Sequence, residues 1–373
     1  MTRGSFLLSL SCCALALAGC GEGESGPIDV SAAGAPPQFR NPNLEPLDAA
    51  SAFLIEAAAQ GLVRFDAEGE IEPALAQSWI VSDDGLRYTF RIRRATWPDG
   101  DRVTAEQVAA RLRAAYSRAS RNPFKPLLGA IVDIEPMTDQ VLEISLSGPR
   151  PNLLQLLAQP ELGILRDNLG TGPFLPEPAE GGTVRLAWPQ GEEDETAPER
   201  PAIVLRGEPM PRAAARFAEE EVALVVGGTI ADLPSAGGAR LSQDRLVFDP
   251  AAGLFGLAFA RAEEGPLADP AIRRALSMAI DRDSLVAALG VPGLQPRVAW
   301  LPSTPEELPR PIGPDWAGAP LPMRRQLAAR AIAGLEEPLG VRVAMPTSPG
   351  HRIVFAHLRR DWRLIGVEVE RVA

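Results

Sequence analysis

The chain has 373 residues, with 37 basic and 48 acidic side chains and a net charge of −11, so it lacks the basic face that binding to nucleic acid phosphates needs. With 46% hydrophobic and 23% charged residues the composition is that of a globular protein, and the length exceeds what a single core usually serves, so two lobes are expected. The three cysteines are Cys12, Cys13 and Cys20, all near the N-terminus, which leaves the folded part without disulfide or thiol chemistry.

Arg3 precedes an apolar run from Phe6 to Leu17, followed by Leu17-Ala18-Gly19-Cys20. The run is short of the ~20 apolar residues a spanning helix needs, and with a basic start and small residues at its end it reads as a cleavable secretion signal. A cysteine directly after the small residues makes this a lipobox. Residues 1–19 are therefore expected to be removed and Cys20 to carry the acyl chains of a membrane-anchored lipoprotein outside the cytoplasm, two or more chains being enough for stable anchoring. Residues 20–46 are rich in Gly, Pro, Glu and Ser and lack an apolar period, so they are expected to form a flexible tether. Gly21-Glu22-Gly23-Glu24-Ser25-Gly26 matches a dinucleotide-loop spacing, but no strand precedes it.

From Leu86 to Ile92, apolar Leu86, Tyr88, Phe90 and Ile92 alternate with Arg87, Thr89 and Arg91, predicting a half-exposed strand entered from the turn Asp83-Asp84-Gly85. Trp97-Pro98-Asp99-Gly100 is a turn, and Thr104 with Gln107 forms a capping box for a helix carrying Val108, Leu112 and Ala115 on one face. Another alternating strand is predicted from Val141 to Leu146. Short strands follow at Val184 to Trp188, Ala202 to Leu205, Val222 to Val226 and Leu254 to Phe259, with a short helix near Arg212 to Phe217. The run Glu192-Glu193-Asp194-Glu195 between them lacks the spaced ligands of a calcium loop and reads as solvated.

Asp269-Pro270 is a strong helix start, and Ile272, Ala275, Leu276 and Ala279 then share a face; the helical stretch is expected to end near Gly290. Residues 292–322 hold nine prolines and should be irregular. A helix from Met323 to Leu335, a strand from Val341 to Met345, a helix from Arg352 to Leu364 and a strand from Val367 to Val372 then follow. The last three form a β-α-β unit, which requires parallel strands. The two histidines, His351 and His357, lie six residues apart on different faces of that helix and read as surface residues; no metal centre, cofactor or G-x-S-x-G nucleophile elbow is indicated, and a hydrolase is disfavoured.

The blocks Gly61-Leu62-Val63-Arg64-Phe65, Pro73-Ala74-Leu75-Ala76-Gln77-Ser78-Trp79, Ser82 to Arg93, Trp97 to Gly100, Thr104 to Val108, Gly170-Thr171-Gly172-Pro173-Phe174 and Asp269 to Arg282 occur in an order that resembles the peptide/nickel class of solute-binding proteins (family 5) of ABC importers. The resemblance runs from about residue 47 to the end. It implies an α/β, two-lobed, periplasmic-binding-protein-like fold (Venus flytrap, class II). Residues 47–268 would build the first lobe, with an inserted subdomain at about 66–168, and residues 269–373 a second lobe that is incomplete, since relatives continue beyond Val367-Glu368-Val369-Glu370. It further implies a periplasmic or extracytoplasmic, monomeric binding protein that captures short peptides or similar solutes for ABC permease subunits, with an ATPase acting indirectly and no chemistry on the ligand. Carried over by position, Ser51 and Phe53 would lie on the first-lobe wall of the cleft, and Thr171 and Gly172 near the crossing between lobes. Phe53 is equally readable as a core aromatic, and Thr171-Gly172 as a tight turn. Trp79 and Trp97 are read as packing residues. A shortened relative acting as an envelope interaction lipoprotein without ligand closure is the competing reading.

Overall fold

The computed structural model describes residues 26–189, 200–248, 255–260, 264–291, 293–299 and 313–372. The signal segment, Cys20, the Gly21–Ser25 stretch, the Glu192–Glu195 run and Leu254 lie outside the described residues.

Part of the segment expected as a tether is instead a central strand. Strand β1 (Ile28–Ala33) pairs in parallel on both sides, and Val30, Ser31 and Ala32 are at most 2% exposed. A strand covered on both faces needs no polar alternation and only a few residues. Its partners lie some 175 to 195 residues along the chain, as in Ser31 to Arg206 and Ser31 to Val225, so nothing in the local composition marks it. The remainder of that segment is tied down too. Buried Asn43 accepts from Asn122 Nδ2 at 3.0 Å, and its carbonyl accepts from the Arg121 amide at 2.7 Å.

After β1 come helix α1 (Ala49–Ala58), the hairpin β2 (Val63–Phe65) and β3 (Ile71–Pro73), and strands β4 (Ala76–Val81) and β5 (Arg87–Ile92). Helix α2 (Ala105–Tyr116), strands β6 (Ile131–Thr138) and β7 (Val141–Leu146), and the short helix α3 (Leu153–Leu157) follow. An antiparallel sheet in the order β4-β5-β7-β6 presents Phe90, Ile92, Leu142 and Ile144 to α2, while Arg87 and Arg91 face out, as the alternation required. The capping box at Thr104 is present in full, and Gln107 also accepts from the indole of buried Trp97 at 3.0 Å.

Strands β8 (Leu175–Pro178), β9 (Val184–Ala187), β10 (Ile203–Glu208) and β11 (Leu224–Val226) join β1 in a sheet of order β11-β1-β10-β9-β8, with helix α4 (Met210–Ala218) before β11 and helix α5 (Leu233–Gly238) after it. Helix α1 packs on this sheet through Ala50 and Leu54. The strand expected at Leu254 to Phe259 is not formed over 255–259; Phe255, Leu257 and Phe259 are 45%, 39% and 38% exposed, and alternation alone makes no strand where none of the described residues pairs alongside.

The second lobe has its own core. Helices α6 (Pro270–Ala279), α7 (Arg282–Leu289) and α8 (Leu321–Ala333) precede strand β12 (Gly340–Ala344), helix α9 (Pro349–Arg363) and strand β13 (Glu368–Val372). Asp269 caps α6 by accepting from the Ala271 amide at 2.7 Å, and Gly290 ends α7 with a φ of 67°, a left-handed backbone that suits glycine. The β12 and β13 strands pair in parallel. Apolar faces of all four helices meet the strands in one cluster that includes Leu276, Ala328, Val341, Leu358 and Trp362.

Candidate functional site

Helix α1 organises the first-lobe residues singled out in the sequence. Asp48 caps it, accepting from the Ser51 amide at 2.8 Å, and the Ser51 hydroxyl accepts from the Gln38 amide at 3.4 Å. Ser51 is fully buried by this arrangement. Phe53 is half-buried against the five-stranded sheet, so its core reading has structural support.

Gly170 to Phe174 docks on the C-terminal end of the same helix. The Gly172 amide donates to Ala58 O at 2.8 Å, the Phe174 amide to Ala57 O at 3.2 Å, and Gln60 Nε2 to the Thr171 carbonyl at 2.8 Å. The first two bonds satisfy carbonyls that a helix end otherwise leaves open. A Cβ on Gly172 would lie 2.4 Å from the Ala58 carbonyl carbon, so glycine is required by close backbone approach. Thr171 is half-buried and its hydroxyl has no partner among the described residues. Phe174 packs on Trp188 with ring centres 4.4 Å apart. Thus α1 brings together Ser51, Phe53, Thr171 and Gly172.

Beside the C-terminal half of α1 lies a recess of about 230 Å³ whose walls include Ile55, Glu56, Gln60, Arg64, Gln159 and Pro173. Desolvation raises the pKa of Glu56, and the neighbouring Glu161 carboxylate raises it further; Glu161 is itself raised by burial. A carboxyl whose folded pKa is raised binds its proton more tightly in the folded state, so its contribution to stability is full below the unfolded value of about 4.3 and is lost as pH rises through the folded value. Glu161→Gln is therefore expected to raise the melting temperature at pH 7 and to leave it unchanged near pH 4. Parallel melting-temperature profiles for the two proteins would contradict this.

The two lobes touch at the start of α9. The Ala231 carbonyl, between β11 and α5, accepts from the Gly350 amide at 2.6 Å and from Ser348 Oγ at 3.2 Å. His351 sits 2.7 Å from Ser348 Oγ through Nδ1, and its ring faces Phe255 with centres 6.2 Å apart. Sequence reasoning read His351 as a surface residue and did not mark Ala231 or Gly350. The available signal was Ser348-Pro349-Gly350-His351, a helix start carrying a glycine that helix propensity disfavours. His357, on the same helix, has a half-buried ring whose Nδ1 finds no partner among the described residues, and desolvation lowers its pKa. No group of three or more His, Cys, Asp or Glu among the described residues is placed to hold a metal ion, and no described helix is long and apolar enough to cross a membrane.

The family model for bacterial extracellular solute-binding proteins, family 5, matches residues 70–371. The chain belongs to that family. Among its relatives, the probable deoxycholate-binding periplasmic protein YgiS of Escherichia coli is 32% identical over 121 residues, covering 28% of this chain and 23% of that protein. The nickel-binding periplasmic protein of Escherichia coli is 29% identical over 130 residues, covering 31% of this chain and 25% of that one. These curated matches thus span about a quarter of each relative's length. Among solved structures, the Escherichia coli murein tripeptide binding protein MppA superposes with a TM-score of 0.76 at 18% identity, and Haemophilus influenzae OppA in complex with RPPGFSPFR with 0.73 at 18%; each alignment covers 93% of this chain and 75% of the other. These likenesses carry the two-lobed periplasmic-binding-protein fold expected of a family 5 member.

Proposed function

We propose that this family 5 protein is the solute-capturing component of an ABC importer, anchored outside the cytoplasmic membrane through a lipidated Cys20, and that it takes short peptides or similar small solutes. The observation that carries the reading is the family match over residues 70–371 together with two separately cored lobes that meet at Ala231 and Ser348–Gly350. Ligand bound between the lobes would stabilise the closed form, and that form would dock on permease subunits, with an ATPase driving release. Binding and closure need no nucleophile or resident cofactor. Phe53, Thr171 and Gly172 are assigned to the first-lobe side of the ligand site. The partnerless Thr171 hydroxyl supports this, because a half-buried polar group gains most from a ligand that pairs with it.

Native mass spectrometry of the protein extracted gently from its own membranes tests the proposal. Expected are an acylated chain beginning at Cys20 and retained small-peptide masses that are exchanged by added peptide mixtures. A chain that stays empty through such incubation points to an envelope interaction lipoprotein that does not close on ligand.

A further inference from the structure

The first turn of α9 has one backbone donor that its own lobe cannot satisfy. Helices begin with N–H groups that have no carbonyl behind them. Pro349 carries no N–H, the His351 amide turns to the capping Ser348 Oγ at 3.4 Å, and the Arg352 amide bonds Ser348 O at 3.1 Å. Gly350 remains, and its partner is the Ala231 carbonyl of the other lobe at 2.6 Å. Ser348 Oγ lies 3.2 Å from the same carbonyl and 2.7 Å from His351 Nδ1, and its single hydrogen serves one of these two contacts.

The receiving carbonyl is held in place. Ala231 is 7% exposed, its amide donates to Thr229 Oγ1 at 3.2 Å, and Asp232 fixes Thr229 by accepting from its hydroxyl at 2.8 Å and its amide at 3.1 Å. A Cβ at position 350 would lie 2.5 Å from both Cα and O of Ala231. These are backbone atoms that cannot swing aside, so any side chain at 350 pushes the lobes apart.

We propose that Gly350 and the Ala231 carbonyl form an interlobe latch, in which the missing side chain at 350 sets how closely the lobes approach and hence the width of the cleft. The latch depends on the two-lobed fold and not on the identity of the solute. Amide exchange of the purified full-length protein tests it without any ligand. The Gly350 amide is expected to exchange more than about tenfold slower than an unstructured amide, because only the interlobe bond protects it. In Gly350→Ala the helix is favoured by propensity, so α9 should persist by circular dichroism while small-angle scattering reports a larger radius of gyration and the amide at 350 loses its protection. A wild-type Gly350 amide exchanging at the unprotected rate overturns the latch, whether or not the variant folds. So does a folded Gly350→Ala protein with an unchanged radius of gyration. Failure to find a bound solute would leave both readouts intact.

Discussion

Asp361→Ala is expected to destabilise the second lobe by about 2–3 kcal/mol, the cost of removing a buried acceptor while its two guanidinium partners stay partly open to water. The carboxylate is fully buried on α9 and accepts from Arg325 Nη2 of α8 at 2.7 Å, Arg360 Nε at 2.9 Å and the Asp281 amide at 2.9 Å. One side chain thereby ties α9 to α8 and to the junction between α6 and α7. Arg325 also donates to Ala279 O at 3.1 Å, so its guanidinium cannot leave for solvent without breaking a second link. Alanine would strand this cation and leave the Asp281 amide unpaired. Asp361→Asn preserves shape and part of the acceptor set, and should cost less. Urea unfolding followed by tryptophan fluorescence reads the effect, because Trp362 and Trp316 both lie in this core. An alanine variant within about 1 kcal/mol of wild type would show that the network does not hold the lobe together.

Gly172→Ala is expected to cost about 1–3 kcal/mol, toward the upper end, and to weaken solute binding as well. The new methyl would meet the carbonyl carbon of Ala58 at 2.4 Å and the oxygens of Ala57 and Ala58 at 2.5 and 2.7 Å, and none of these atoms belongs to a side chain that can rotate away. Residues 170–174 must then withdraw from the end of α1, and the bonds to Ala57 O and Ala58 O are lost. Thr171→Val separates architecture from function at the neighbouring position. It removes a hydroxyl with no described partner, so stability should hold or rise, whereas affinity for a solute that pairs with that hydroxyl should fall. Calorimetric stability and titration with the peptides recovered from the native protein read the two effects separately. A Gly172→Ala protein as stable as wild type would mean that the backbone relaxes at this contact.

What was legible in the sequence is what arises from neighbouring residues. The alternation at Tyr88, Phe90 and Ile92, the Thr104–Gln107 capping box and the Asp269-Pro270 helix start each involve groups a few residues apart. The β12-α9-β13 unit was legible because a parallel pair joined by a helix follows from the order of three local elements. Strand β1 was not, because its stability comes from β10 and β11 far along the chain, while its surroundings read as a tether. The residues at Leu257 and Phe259 show the converse, a strand pattern without a partner strand among the described residues.

The candidate site divides in the same way. Sequence by itself determined the elements that rest on local signals, the two-lobed class, the resemblance that the family match bears out, and Thr171-Gly172 as candidate positions. Only the tertiary structure decided that Ser51 is buried beneath the Gln38 loop, that Asp361 joins three helical elements, and that the carbonyl of Ala231 meets the amide of Gly350. Local signals report dihedral preference and the periodicity of burial, whereas these contacts depend on which distant surfaces packing presses together.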